Sequence, residues 1–228
     1  MTDIYRIEPL PAPLAPDRAA RLARVEAATL GHYLHSGFLD LGVRPLIGAT
    51  RVAGAAVTVQ IPGPDSTLLY YAMDRVRPGD MLVIDRAGDR THACWGGFMA
   101  AVARIRGLAG VVIDGAVTDP AAIVAAGVPT WARRTSAITT KLLNLGGGFN
   151  VPVSVGGVAV TPGDAILADD CGVVVIPPSR LDALIEVALK DQEEEGGWIE
   201  RLEKGETLQD LVDIRSMLEK NGMEGAGV

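Results

Sequence analysis

The chain has 228 residues, 48% of them hydrophobic and 21% charged, which suits one globular domain with a full core. Its net charge is −7 and no cluster of Lys or Arg stands out, so direct binding to a nucleic-acid backbone is a poor expectation. Cys94 and Cys171 follow no metal or CxxC spacing, and neither a leader-like apolar segment nor a run near the roughly 18 apolar residues of a membrane span is found, so a soluble, cytoplasmic protein with free thiols is expected.

Residues 1–16 are rich in proline and predict an extended N-terminal arm. From Asp17, the spacing of Leu22, Val25, Leu30, Tyr33 and Leu34 fits one helix with an apolar face, ending at Ser36–Gly37. "RVAGAAVTVQIPG" reads as a strand, "STLLYYAMDRV" as a short helix and "RPGDMLVID" as a turn feeding a buried strand. "GGFMAAVARIRG" has helical spacing with Gly107 as its C-terminal cap. "LAGVVIDG" is an apolar strand, "DPAAIVAAG" a short helix and "VPTWAR" a further strand. This alternation predicts an α/β unit with partly parallel pairing.

After "LGGGFN" the segment "VPVSVGGVAVTPGDAILADDCGVVVIPP" reads as a β-meander, and Gly156–Gly157 suits a primed hairpin turn. Its "TPGDAILADD" echoes the earlier "RPGDMLVIDR", which we read as reuse of one local device. From Ser179 the chain is helical, with a break expected at Gly196–Gly197 and a last helix from about Thr207 to Glu219. The expected organisation is an arm (1–16), an α/β domain (17–190) and a C-terminal helical extension (191–228).

"DGAVTDPAAI" poses the functional question, because it stands where a strand hands over to a helix. Asp119 before Pro120 is a strong N-cap signal. The C-terminal end of a strand is also where α/β folds gather their sites, so Asp119, with Asp114 upstream, is a candidate for catalysis or metal binding. Gly96–Gly97 opening a helix offers free backbone N–H groups to an anion, although a packing turn would look the same. Arg133 and Arg134 end a strand, where adjacent side chains point to opposite faces, so only one could enter a given pocket. His32 and His35 lack a third ligand, and His92 reads as a loop residue. No nucleophile elbow, Walker loop or dinucleotide fingerprint occurs.

The blocks "SGFLDLGVRPL", "VAGAAVTVQ", "RPGDMLVIDRAG", "CWGGFMAAVARIRGLAGVVIDGAVTD" and "NVPVSVGGVAVTPGDAILADDCGVVVIP" occur in the order of the RraA-like family, which the chain resembles from about residue 20 to 190. That family contains 4-hydroxy-4-methyl-2-oxoglutarate/4-carboxy-4-hydroxy-2-oxoadipate aldolases and regulators of ribonuclease activity. The resemblance implies a layered α/β sandwich with a swivelling β/β/α-like core, assembled as a homotrimer or homohexamer with sites between subunits. It implies an aldolase or decarboxylase type of lyase acting on a small 2-oxo carboxylate, in which Mg²⁺ or Mn²⁺ stabilises a pyruvate enolate. Carried over by position, Asp119 would hold the metal, and Gly96, Gly97, Phe98 and Met99 would bind substrate through the loop.

Two departures bear on function. The aldolases carry an acid, twenty residues, then Arg-Asp, and the ribonuclease regulators carry Gly in the first place. Here Gly97 is followed by twenty residues and then Thr118–Asp119, and Ala122 stands where a further acid often follows. Thr118 replaces a bidentate carboxylate clamp with one short donor, and Arg133 or Arg134 is the candidate substitute for the lost charge. The expectation is a metal-dependent lyase with its substrate shifted from the standard one. The alternatives are a non-catalytic regulator that docks on a protein partner, or an enzyme of another reaction type on the same scaffold.

Overall fold

A computed structural model of the chain describes residues 4–48 and 50–220; residues 1–3 of the expected arm and 221–228 of the extension lie outside them. The first half of the chain forms β1 (Tyr5–Ile7), α1 (Pro16–Leu22), α2 (Ala27–Leu30), β2 (Arg44–Pro45), β3 (Val52–Gln60), α3 (Thr67–Met73), β4 (Met81–Asp85) and α4 (Gly97–Arg106). The second half forms β5 (Gly110–Val117), α5 (Pro120–Ala126), β6 (Thr130–Thr135), β7 (Gly147–Phe149), β8 (Val153–Val155), β9 (Val158–Val160), β10 (Ala165–Ala168) and β11 (Val173–Ile176), then α6 (Leu181–Glu203), α7 (Leu208–Leu211) and α8 (Ile214–Lys220).

Strands β3, β4, β5 and β6 lie side by side in parallel, as their alternation with helices requires. The arm is tied to the same sheet, because β1 pairs with β7 and β7 pairs antiparallel to the end of β3. β3 serves two partnerships along its length. Residues 52–55 pair antiparallel with β10, and Ala56–Gln60 pair with β4.

Side-chain alternation sorts the core into layers. Val57, Val59, Leu82, Ile84, Val111 and Ile113 pack under α3, α4 and α5, and Val83, Val112 and Trp131 face the β8–β9 side. In β10, Ala165 and Leu167 pack with α1, α2 and α6, whereas Ile166 and Ala168 face the opposite way. Among the described residues no helix is long and apolar enough to cross a membrane.

Four local expectations change. The helix expected from Asp17 up to Ser36–Gly37 divides into α1 and α2, because the amides of Glu26 and Ala27 donate to Gln192 and Asp169 at 2.8 and 2.9 Å. α6 runs through Gly196–Gly197, since each exposed glycine costs a helix only about 1 kcal/mol and the flanking residues are strong helix formers. The last helix is two pieces, interrupted at Val212–Asp213. The expected meander is split: β8 and β9 form their own two-stranded sheet, while β10 and β11 join β3. The hairpin turn itself is as expected, with Gly156 and Gly157 at φ +57° and +77° as a type I′ turn requires.

The echoed sequences build the same turn twice. Gly79 and Gly163 sit at φ +84° and +91°. Asp80 and Asp164 each accept the N–H three residues back, from Arg77 and Thr161, at 2.8 Å. Five residues later, Asp85 and Asp169 each accept the N–H two residues on, at 2.7 and 2.9 Å. The copies differ in one respect: the Arg77 guanidinium also closes on Asp80 through Nε and Nη2, both at 3.1 Å, and Thr161 has no such group.

Candidate active site

The end of β5 meets the start of α4. Trp95 bridges Val117 in parallel, and the Trp95 carbonyl accepts the Thr118 N–H at 2.8 Å, which delivers Gly96–Gly97 beside Thr118–Asp119. The approach leaves no room for side chains. A Cβ on Gly96 would lie 2.7 Å from Thr118 Cγ2 and 2.8 Å from Asp119 Oδ2, and one on Gly97 would lie 2.6 Å from the Ala122 Cβ. Gly96 itself is extended, at φ −152°. Alanine fits that backbone, so we expect Gly96→Ala to act by displacing Thr118 and Asp119. A loss of about 1–3 kcal/mol in urea unfolding is the expected result.

Asp119 occupies the N-cap position of α5 but does not cap it. Its backbone is left-handed, at φ +51° and ψ +51°, and no side-chain cap bond forms. Its carboxylate turns towards the neighbouring helix instead. Oδ2 accepts the Gly97 N–H at 3.4 Å, and Oδ1 accepts the Thr118 hydroxyl at 3.3 Å. Both contacts are long, so the exposed carboxylate keeps lone pairs for another partner. The first N–H groups of α4 have no intrahelical acceptor and open on the same corner. This anion-favouring helix end beside a free carboxylate suits a bound cation that itself carries an anionic ligand.

The donor set can be tested against a metal. Among the described residues no group of three or more His, Cys, Asp or Glu is placed to hold one. A zinc-type cage is therefore not built here. One under-coordinated carboxylate does fit Mg²⁺ or Mn²⁺, since Mg²⁺ keeps several waters and binds through one or two carboxylates.

The other expected residues divide. Phe98 stands 67% exposed, stacked with Tyr70 at a centroid distance of 6.5 Å. The Met99 side chain is buried in the core beneath α4, so only its amide faces the corner. Arg133 does not join the site: its guanidinium bonds Asp114, and Asp40 at 2.7 Å, and these two carboxylates raise its pKa against the opposing effect of burial. Asp114 also accepts the Gly156 N–H at 2.8 Å, so the three residues staple β5 and β6 to the hairpin. Arg134 is exposed and forms no ion pair among the described residues.

Two buried charges behind the site were not picked out from the sequence. Arg86, fully buried, donates to the carbonyls of Gly63, Asp65 and His92, and its Nε has no partner among the described residues. Asp65, also fully buried, accepts the Thr67 hydroxyl and N–H and the Leu143 and Leu145 amides, at 2.6–2.9 Å. Burial alone would raise its pKa, but those hydrogen bonds overcome burial and hold it at about 2. The signal for Arg86 was a cation directly after the apolar run "MLVID". For Asp65 the local bonds to Thr67 resemble an ordinary turn into a helix, and its other two donors, Leu143 and Leu145, lie nearly eighty residues away.

The RraA-like family, described as Aldolase/RraA, matches residues 26–175. The chain belongs to that family. It is 37% identical over 178 residues, 78% of this chain and 82% of the other, to a protein of Halalkalibacterium halodurans provisionally named a 4-hydroxy-4-methyl-2-oxoglutarate aldolase. Its RraA-like fold is similar to that of Streptomyces coelicolor RraAS2, described as an unusual member of the RNase ES inhibitor RraA protein family. The TM-score is 0.73 at 29% identity, covering 82% of this chain and 98% of that one. The RNA-processing inhibitor RraA from Thermus thermophilis gives a TM-score of 0.60 at 28% identity, covering 66% and 90%. The RraA-like family thus includes both aldolase-named and inhibitor-named relatives of this chain.

Proposed function

We propose that the chain is a divalent-cation-dependent carbon–carbon lyase acting on a small 2-oxo acid. The carboxylate of Asp119 carries this reading, because it is held in a strained backbone conformation and turned away from its own helix towards the open amides of α4. Strain of this kind persists only where the surrounding structure over-determines it, and it clusters at functional sites. Asp119 would hold Mg²⁺ or Mn²⁺, which when bound supplies the electron-withdrawing pull on the 2-oxo group that bond cleavage needs. The amides of Gly97, Phe98 and Met99 would receive the substrate carboxylate, and the Thr118 hydroxyl would donate one hydrogen bond. The exposed apolar side chains of Tyr70, Phe98, Leu142, Leu143 and Leu145 support a homo-oligomer, trimeric or hexameric, in which a neighbouring copy covers this corner.

Thr118 fits a shifted substrate, since one hydroxyl cannot replace a bidentate cation. Thr118→Arg should lower KM for oxaloacetate by about tenfold, the equivalent of one charge-assisted hydrogen bond. The deciding assay is pyruvate release from oxaloacetate and from 4-hydroxy-4-methyl-2-oxoglutarate with Mg²⁺ or Mn²⁺. A rate no higher than that of the free cation on either substrate would sink the standard aldolase reading and turn the search to other 2-oxo acids or to a protein partner.

A second reading has one observation in its favour. Ala122 leaves no room at Gly97 for the acid that the aldolases carry there, and Gly is what the ribonuclease regulators have. Under that reading the chain is a regulatory protein that docks on another protein.

A further inference from the structure

A cleft of about 370 Å³ lies between the helical layer and the β8–β9 hairpin and shares no residue with the Asp119 corner. Its volume falls within the roughly 300–1,000 Å³ of small-molecule sites. Leu34, Val158, Val175 and Leu184 give it apolar walls, Asp164 stands in one wall, and Arg180 lines the same cleft. The Asp164 residue is only 8% exposed.

The duplicated turn shows what is missing here. In the first copy Asp80 has both oxygens satisfied, because Arg77 closes on them with its backbone and its guanidinium. In the second copy Thr161 gives Asp164 Oδ2 its N–H, and Oδ1 accepts no hydrogen bond among the described residues. The same device therefore holds a nearly buried carboxylate twice, once with a cation bonded to it and once in the wall of a cleft with no cation bonded to it. Burial raises the pKa of Asp164 in spite of the Thr161 bond. An incoming cation would relieve that penalty. One carboxylate among apolar walls does not make a metal cage, and it repels an anion. It suits an organic cation.

We propose that this cleft binds a small primary ammonium compound with a branched apolar body, its ammonium group on Asp164. When the ligand is a zwitterion, its carboxylate lies towards Arg180, which holds no ion pair among the described residues. The ligand class is thus an aliphatic amine or an amino acid with an apolar side chain, and the site is independent of the lyase reading.

The test is calorimetric titration of the full-length protein with three probes of one shape: isopentylamine, L-leucine and 4-methylpentanoate. Saturable binding of the amine and of leucine, and none of the acid, is expected. Asp164→Asn keeps the Thr161 bond and should weaken both amines by about ten- to a hundredfold, as loss of one charge-assisted bond implies. Arg180→Met should weaken leucine and leave isopentylamine unchanged. Val158→Trp, which fills the cleft from the hairpin, should block both while Asp164 stays in place, so the proposal remains testable if Asp164→Asn folds poorly. No saturable binding of isopentylamine, or equal affinity in folded Asp164→Asn and wild type, overturns the proposal.

Discussion

Asp119→Asn should reduce cation-dependent pyruvate release by roughly a hundred- to a thousandfold, the loss that follows removal of one preorganised electrostatic group. The amide keeps the size and one oxygen of the carboxylate, so the α4–α5 contact survives while the negative charge is lost. Asp119→Gly gives a sharper contrast. Its left-handed backbone (φ +51°) costs a residue with a Cβ roughly 1 kcal/mol or more, which glycine avoids. Asp119→Gly should therefore be more stable than wild type in urea by up to about 1 kcal/mol, and inactive. Mn²⁺ affinity, read by water-proton relaxation, should fall in both variants. If Asp119→Asn retained full cation-dependent turnover, the proposed metal position would be wrong.

The second large effect is on stability. Asp65→Asn should cost about 3 kcal/mol in urea unfolding at neutral pH, because the new NH₂ must face an amide that Oδ1 or Oδ2 now accepts. The pH dependence has a definite sign. The folded carboxyl sits at about 2, below its ordinary value of 3.8, so its stabilisation is present above pH 3.8 and is lost as pH falls towards 2. That linkage is worth roughly 2 kcal/mol. The gap between wild type and Asp65→Asn should narrow accordingly between neutral pH and pH 2. A gap that stays constant over that range would show that ionised Asp65 is not what secures the loop.

Much of the fold was legible because it rests on local rules. The apolar runs of β3, β4 and β5, the Gly107 cap at φ +72° and the Gly156–Gly157 hairpin all obey backbone sterics. What was not legible came from distant partners. Nothing near Leu22 announces that Asp169 and Gln192 will take the amides that divide the first helix. The sequence placed Asp119 at a helix start, and its position holds. Which way the carboxylate turns depends on how closely Gly96 and Gly97 let α4 approach, a matter of tertiary packing. The pairing of Arg133 was hidden for the same kind of reason: Asp114 was noticed, but Asp40, ninety-three residues away, was not.

The divided pairing of β3 has a consequence for how this protein is made. The strand is complete at residue 60, yet the partner of its first half, β10, lies more than a hundred residues further along the chain. During synthesis residues 52–55 must wait as an open, apolar edge while the parallel half of the sheet can already assemble. A nascent chain halted before Ala165 would present that edge to any other chain nearby. Truncated or slowly translated copies should therefore need chaperone cover more than the finished protein does.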